Sequence, residues 1–251
     1  MNRIPEIEAM TDSVEIKSFN SLSTTDQNNL LNECFVLSVF NLGIPCGKIL
    51  DLGTGNGLIP IKIALGCKDF FITGIDMSEE MLAFARKNAA ENKVDDRIKF
   101  DLADAKDLPY PDNYFDIVIC HLSLHHMKDP VKVLKETDRV LKKDGAILIR
   151  DMKRPEDDKT LASYVKLFGN GYSPLEKKIL EESFLASYTK EEFEDLAAKA
   201  NLKNYEIKEY FVTHIGLEKR AKNFQSPVYT DNLPKETDYL SKLILNYYIS
   251  K

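Results

Sequence analysis

Ile49-Leu50-Asp51-Leu52-Gly53-Thr54-Gly55-Asn56-Gly57-Leu58-Ile59-Pro60 is the stretch that decides the fold. A short apolar run ends in an acid, glycines follow at alternate positions, and an apolar segment resumes at Leu58. A strand that stops in such a turn and runs into a helix brings bare backbone close to a ligand. It also aims the N–H groups of a helix start at a polar or anionic group.

The dinucleotide fingerprint is G-x-G-x-x-G, whereas the spacing here is G-x-G-x-G, with Leu58 where that pattern wants its last glycine. About twenty residues on, Phe70-Phe71-Ile72-Thr73-Gly74-Ile75-Asp76 reads as an apolar strand ending in a second acid. A carboxylate there accepts two hydrogen bonds from vicinal ribose hydroxyls, so Asp76 points to an adenosine-containing ligand without saying which. Ile98-Lys99-Phe100-Asp101-Leu102-Ala103-Asp104-Ala105 reads as a third strand with Asp104 just past its end. Taken singly, Asp51 or Asp104 fits a turn or a cap, Met77 fits a core and the glycines fit a loop. Their order over three successive strand–helix units favours a ligand site.

With the acid before it, the glycine turn becomes D-x-G-x-G-x-G. It resembles motif I of the class I S-adenosylmethionine (SAM) dependent methyltransferases. Leu108-Pro109-Tyr110-Pro111-Asp112-Asn113-Tyr114-Phe115-Asp116-Ile117-Val118-Ile119 resembles that family's approach to strand four. Leu122-Ser123-Leu124-His125-His126 resembles the ubiquinone/menaquinone C-methyltransferase group and its small-molecule relatives. Val140-Leu141-Lys142-Lys143-Asp144-Gly145-Ala146 looks like the turn before strand five. The resemblance runs in unbroken order over residues 47–151. It implies a doubly wound, mostly parallel seven-stranded α/β sheet, Rossmann-like, whose last two strands include one antiparallel to the rest. It implies SAM as cofactor and S-adenosyl-L-homocysteine (SAH) as product. The implied cofactor residues are Asp51, Gly53, Thr54, Gly55, Asn56, Gly57, Asp76, Met77, Asp104, Ala105 and His121. Asp104 would accept from the adenine amino group, the Ala105 N–H would reach a ring nitrogen, and Met77 would lie on the adenine face.

Methyl transfer from a sulfonium is an in-line displacement, so the protein mainly aligns the partners and excludes water. A base is optional, and the candidates are His121, His125 and His126, three of the four histidines in the chain. They can equally shape the cofactor pocket or cap the following turn. His121 and His125 are four residues apart, but no nearby acid or thiol completes a zinc set, and no metal is expected. Cys120-His121-Leu122-Ser123 is not the Asn/Asp-Pro-Pro-aromatic stretch of methyltransferases acting on planar amide or amino nitrogens, and no acid pair of the metal-dependent catechol type follows strand four. Arg150-Asp151-Met152-Lys153-Arg154 fits either a solvated loop or a set of side chains facing the acceptor. Arg3-Ile4-Pro5-Glu6 resembles the start of a set of bacterial methyltransferase-like proteins.

The remainder of the 251 residues sets limits. An apolar share of 43% suits one α/β domain with additions, and no apolar run is long enough to span a membrane. The start lacks a signal-peptide core, and the four cysteines read as buried free thiols, so a cytoplasmic setting is expected. Net charge is −6 without a basic stripe, which argues against nucleic acid. Residues 1–44 read as an N-terminal segment and helix. That helix is expected over about 24–41, with Thr24 and Gln27 as its capping box. Residues 45–220 read as the cofactor domain with a helical insertion at about 154–187, and 221–251 as an extension with an amphipathic stripe. Ser78, Asp129, Ser173 and Thr189 read as N-caps, the stripe after Asp129 running through Leu141. Residues 1–44 and 154–187 should cover the acceptor side, with Phe19, Tyr164, Phe168 and Tyr172 as lining candidates. The expected function is methylation of a small-molecule acceptor, with no nucleic-acid or membrane partner. A SAM-binding protein without transfer is the alternative. A homodimer is compatible with the C-terminal stripe.

Overall fold

A computed structural model describes residues 1–6, 18 and 25–225. In chain order its elements are α1 (Asp26–Phe40), β1 (Gly47–Leu52), α2 (Leu58–Gly66), β2 (Phe70–Asp76), α3 (Glu79–Glu91), β3 (Ile98–Leu102), β4 (Phe115–His121), a 3₁₀ turn (Leu124–His126), α4 (Pro130–Val140), β5 (Leu141–Met152), α5 (Asp158–Phe168), α6 (Pro174–Ala186), α7 (Lys190–Lys199), β6 (Glu206–Tyr210) and β7 (His214–Lys219). The amphipathic stripe expected near the C-terminus, and Phe19, lie outside the described residues.

The seven strands form one sheet in the order β3-β2-β1-β4-β5-β7-β6. All neighbours are parallel except β7, which runs antiparallel to both β5 and β6. The expected doubly wound architecture is what forms. Alternation along the strands explains its two covered faces. Ile49, Ile117, Ile119 and Leu148 turn toward α1, α2 and α3, packing with Phe35, Phe40, Ile61 and Leu82. Leu50, Val118, Cys120 and Ile149 turn the other way, toward Val133 and Leu134 of α4 and Phe193 and Ala197 of α7. The strand order reverses between β1 and β4, so the crevice beyond their C-terminal ends is where such a sheet takes a ligand.

Local chemistry sets the helix starts. Ser78, Asp129, Ser173 and Thr189 cap as expected, the last two in reciprocal capping boxes with Glu176 and Glu192. The first helix differs: Thr25, not Thr24, accepts the N–H of Asn28. Leu141 also departs from its helical reading. It opens β5 and pairs with Phe115, after which the register shifts, so the turn resembling the family's pre-strand segment lies within a long strand. β6 and β7 pair through a three-residue link in which Phe211 takes φ 53° in place of a glycine. Of the cysteines, Cys34, Cys67 and Cys120 are buried, but Cys46 is exposed.

The insertion helices pack on α1. Phe168 joins Leu30, Leu31, Cys34 and Phe211, the Tyr164 hydroxyl donates to the Val212 carbonyl, and Asn28 donates to the Tyr172 hydroxyl. Tyr164, Phe168 and Tyr172 therefore spend their side chains on packing within this cap.

Gly53 and Gly171 both lie at positive φ, 66° and 84°, but in different surroundings. A Cβ on Gly53 would fall 1.9 Å from Ser123 Oγ, while nothing lies within 4 Å of one on Gly171. Gly171→Ala should cost about 1 kcal/mol from backbone strain alone. Gly53→Ala should cost at least roughly twice that, because the loop after β4 must also move. Urea denaturation at unchanged m-value measures both; equal losses would show that Ser123 does not crowd the turn.

Candidate functional site

The glycine loop is held from three sides. The Thr54 N–H donates to the Ile75 carbonyl of β2 at 2.8 Å, and its hydroxyl donates to Asp51 Oδ2 at 2.7 Å. Gly57 is the left-handed N-cap of α2, and a Cβ there would sit 2.9 Å from Ala85 and Phe100. Two of the three glycines thus owe their identity to protein neighbours: Ser123 at Gly53, and α3 with β3 at Gly57. Gly55 turns its N–H to Asp76 Oδ2 at 2.9 Å. Asn56 is buried, and its carbonyl accepts from Asn88.

Asp76 ends β2 with its carboxylate spanning two elements. Oδ2 takes the Gly55 N–H, and Oδ1 takes the Ser78 N–H at 2.9 Å. Burial raises its pKa, and the backbone N–H groups of Ser78, Gly55 and Met77 oppose that rise. Each oxygen keeps lone-pair capacity after accepting one N–H, which is what two neighbouring ribose hydroxyls require. Met77 stands beside it, 44% exposed, an apolar surface at the mouth of the crevice. Asp104 follows β3, its Oδ1 accepting the Lys106 N–H at 2.8 Å, and Ala105 beside it is buried. The expected cofactor residues on β1, β2 and β3 thus come together at one edge of the sheet.

The three histidines have three different surroundings. His121 ends β4 stacked on Phe35, centroids 4.2 Å apart, and both its ring nitrogens are buried without a hydrogen-bond partner. Burial first, then the charges of Arg150 and His214, press its pKa well below the ordinary value. The charged form of the ring is disfavoured where it stands. His125 is buried, and its Nδ1 lies 2.6 Å from Asp151 Oδ1. Burial disfavours the His125 charge, but the charge and hydrogen bond of Asp151 outweigh it and raise the pKa. His126 is part-exposed, its Nδ1 2.6 Å from Glu6 Oε2. His121 and His125 do not converge as a metal pair; Glu6, His125 and His126 do, their ligand atoms all within 4.8 Å of one another.

The end of β5 corrects the reading as a solvated loop. Arg150, Asp151 and Arg154 are 1%, 0% and 5% exposed. Arg150 lies 3.9 Å over the Tyr210 ring and donates to Ser38 Oγ, Arg154 donates to Glu192 and the Ser187 carbonyl, and Asp151 turns toward the 3₁₀ turn. Residues 1–6 fall within the segment expected on the acceptor side, but Glu6 was not among the expected site residues. Arg3 donates to the carbonyls of Ala186 and His125 and lies over the Tyr188 ring, and the Ile4 N–H donates to the Leu185 carbonyl. These contacts carry Glu6 to the histidines. Its only signal in the sequence is an Arg and a Glu flanking Ile-Pro in an otherwise patternless start.

Residues 46–214 match the family described as Methyltransferase domain. The chain is 42% identical over 104 residues to 27-O-demethylrifamycin SV methyltransferase of Amycolatopsis mediterranei, a match covering 41% of this chain and 38% of that protein. It is 30% identical over 165 residues to the ubiquinone/menaquinone biosynthesis C-methyltransferase of Rickettsia bellii, covering 64% and 65%. The chain therefore spans between about two-fifths and two-thirds of the length of these curated relatives. Among solved structures, the YcgJ protein of Bacillus subtilis aligns with TM-score 0.53 at 26% identity, over 69% of this chain and 70% of that one. The plantazolicin methyltransferase BpumL in complex with SAH aligns with TM-score 0.66 at 20% identity, over 84% and 92%, a likeness of fold.

Asp51 gives the site a pH signature. Burial first, then the Asp76 charge, hold its pKa up at about 7 against the Thr54 hydrogen bond, from an ordinary 3.8. Between those values the folded chain keeps a proton that the unfolded chain has released, so this residue lowers stability as pH rises. Asp51→Asn removes that contribution. The variant should match the parent near pH 4 and exceed it near pH 8, by up to about 4 kcal/mol at about 1.4 kcal/mol per pH unit. Denaturation across that range checks it; a pH-independent difference would mean that Asp51 is ionised throughout.

Proposed function

Because the chain belongs to the methyltransferase-domain family, we propose that it moves a methyl group from SAM to a small-molecule acceptor, releasing SAH. The observation that carries this reading is the Asp76 carboxylate, fixed by the Gly55 and Ser78 N–H groups beside exposed Met77. Its two oxygens match vicinal hydroxyls in spacing and chemistry, so the residues present fit an adenosyl ligand. Asp76 would hold the ribose, Met77 the adenine face, Asp104 and Ala105 the adenine edge, and the Gly53–Gly57 loop the amino-acid end. When bound, SAM supplies a methyl group already activated by its positive sulfur.

The remaining work belongs to the chain. The glycine loop and Asp76 preorganise the binding edge, so little ordering is left for the moment of binding. The segment at residues 1–6 and the cap of α1, α5 and α6 supply the wall that aligns an acceptor and keeps water out. His121 closes the wall as a neutral ring, while His125 and His126 stand on the acceptor side. The 27-O-demethylrifamycin SV and ubiquinone/menaquinone relatives act on organic small molecules, which supports that acceptor class. No described helix is long and apolar enough to cross a membrane. A cytoplasmic setting completes the proposal.

Calorimetry with SAH, SAM and NAD tests the cofactor. Micromolar SAH binding without useful NAD binding is expected, and the reverse would overturn the assignment. Asp76→Ala should weaken SAH binding by about 2–4 kcal/mol, since charge-assisted bonds to two hydroxyls are lost. Parent-like affinity in a folded variant would remove Asp76 from the ribose site.

Deleting residues 1–22 should leave SAH affinity within about tenfold, or 1.4 kcal/mol, and abolish transfer. SAH accumulation with the true acceptor at the parent rate would contradict the cap. Absence of SAH formation by the full chain with every small molecule tried would favour binding without transfer.

A further inference from the structure

We propose that Glu6, His125 and His126 form a binding site for one divalent transition-metal ion, Zn²⁺ by its donor set, with Asp151 positioning His125 from behind. The ligand atoms are one carboxylate oxygen and two ring nitrogens, all within 4.8 Å of one another. Glu6 Oε2 is 2.6 Å from His126 Nδ1 and 4.0 Å from His125 Nε2. Ligands bound tetrahedrally at about 2.0–2.1 Å lie roughly 3.3 Å apart, so the Glu6 and His126 side chains must rotate to open the short contact and draw in the longer ones around His125. Two imidazoles and a carboxylate form a set used by zinc sites that keep an open position.

The second observation is the orientation of His125. A carboxylate can only accept, and Asp151 Oδ1 faces Nδ1 at 2.6 Å, so Nδ1 carries the hydrogen. The same carboxylate accepts the backbone N–H groups of His125 and Met152 at 2.8 Å, which locks it in place. The other nitrogen, Nε2, is then directed toward Glu6, buried and without a hydrogen-bond partner. An orphaned ring nitrogen with a carboxylate on its opposite side is the arrangement that orients histidine as a metal ligand. A simple lock between Glu6 and the turn accounts for the His126 contact but leaves Nε2 unexplained. The Arg3 guanidinium opposes a cation here, yet its hydrogen bonds go to the carbonyls of Ala186 and His125 and not to Glu6.

This inference rests on the methyl-transfer reading for its meaning, though not for its test. On that reading the open side of the ion faces the acceptor. A suitable acceptor carries an ionisable oxygen, nitrogen or sulfur, which loses its proton to water on coordination. His125 and His126 then act as ligands and not as bases.

The experiment uses the full chain stripped with a chelator and titrated with Co²⁺, then with Zn²⁺ in competition, alongside SAH calorimetry. One equivalent of Co²⁺ with visible d–d absorption is expected, displaced by Zn²⁺. Glu6→Gln and His126→Asn should each lower Zn²⁺ affinity at least tenfold. Asp151→Asn should lower it by about 10–100-fold, and Cys46→Ser, at an exposed thiol, should change nothing. Glu6 lies on the N-terminal segment outside the sheet, so its variant keeps the test informative even if Asp151→Asn fails to fold. Absence of a stoichiometric Co²⁺ spectrum, or one unaltered in Glu6→Gln and His126→Asn, overturns the site. Failure of SAH to bind would count against the methyl-transfer reading instead, whatever the metal does.

Discussion

Taking a carboxylate out of water is costly unless donors reach it, and the crevice end of this sheet buries Asp51 and Asp151 and half-buries Asp76. Each is answered differently, and the loops take the shapes those answers require. Asp76 is met by the N–H groups of Gly55 and Ser78, which fixes the glycine turn against the start of α3. Asp151 is met by His125 twice, through ring and backbone, and by Met152, which ties the turn after β4 to the end of β5. Asp51 receives the Thr54 hydroxyl and has a second carboxylate nearby, so it is pushed further toward neutrality than Asp76. The backbone around the crevice is arranged as a set of donors.

The same constraint explains the far side of the crevice. Arg150, the largest fully buried side chain, enters between Phe35 and Tyr210. Its charge reaches His121 and His214, and together with burial it drives both rings toward neutrality, His214 to about 4. A cation in an aromatic frame thus clears the wall beneath the cap of competing positive charge. Asp151 is left to pair with His125 alone, and the polar groups above the sheet sort into a neutral wall and one charged corner.

Sequence pattern was most informative where chemistry is local. Asp51, the glycines, Asp76 and Asp104 each sit at the end of an apolar run, and period-two alternation locates strand ends to within a residue or two. Caps were legible for the same reason, since Ser173 with Glu176 and Thr189 with Glu192 lie within one turn. The misplaced cap on α1 marks the limit: Thr24 and Thr25 are adjacent, and the choice falls to the register that buries Leu30, Cys34 and Phe35. Leu141 continues a helical stripe by spacing, but its pairing with Phe115 comes from a strand some twenty-five residues earlier. Glu6 against His126, and Asp151 against His125, were out of reach. Spacing along one element says nothing about a strand end and a chain start brought together by the fold.

The division between legible and hidden parts follows the division of labour. The rifamycin-type relative matches over 104 residues, whereas the family match extends over residues 46–214. Residues 1–6 and α1 lie outside the family match, and together with α5 and α6 they hold one another: Ile4 on Leu185, Arg3 on Ala186 and Tyr188, Phe168 on Leu30 and Leu31. A wall built of mutual contacts can change its lining without disturbing the glycine turn, because no hydrogen bond of Asp76 passes through it. A change in that wall leaves the hydrogen bonds of Asp76 in place, and Glu6 is the point where residues 1–6 reach the crevice.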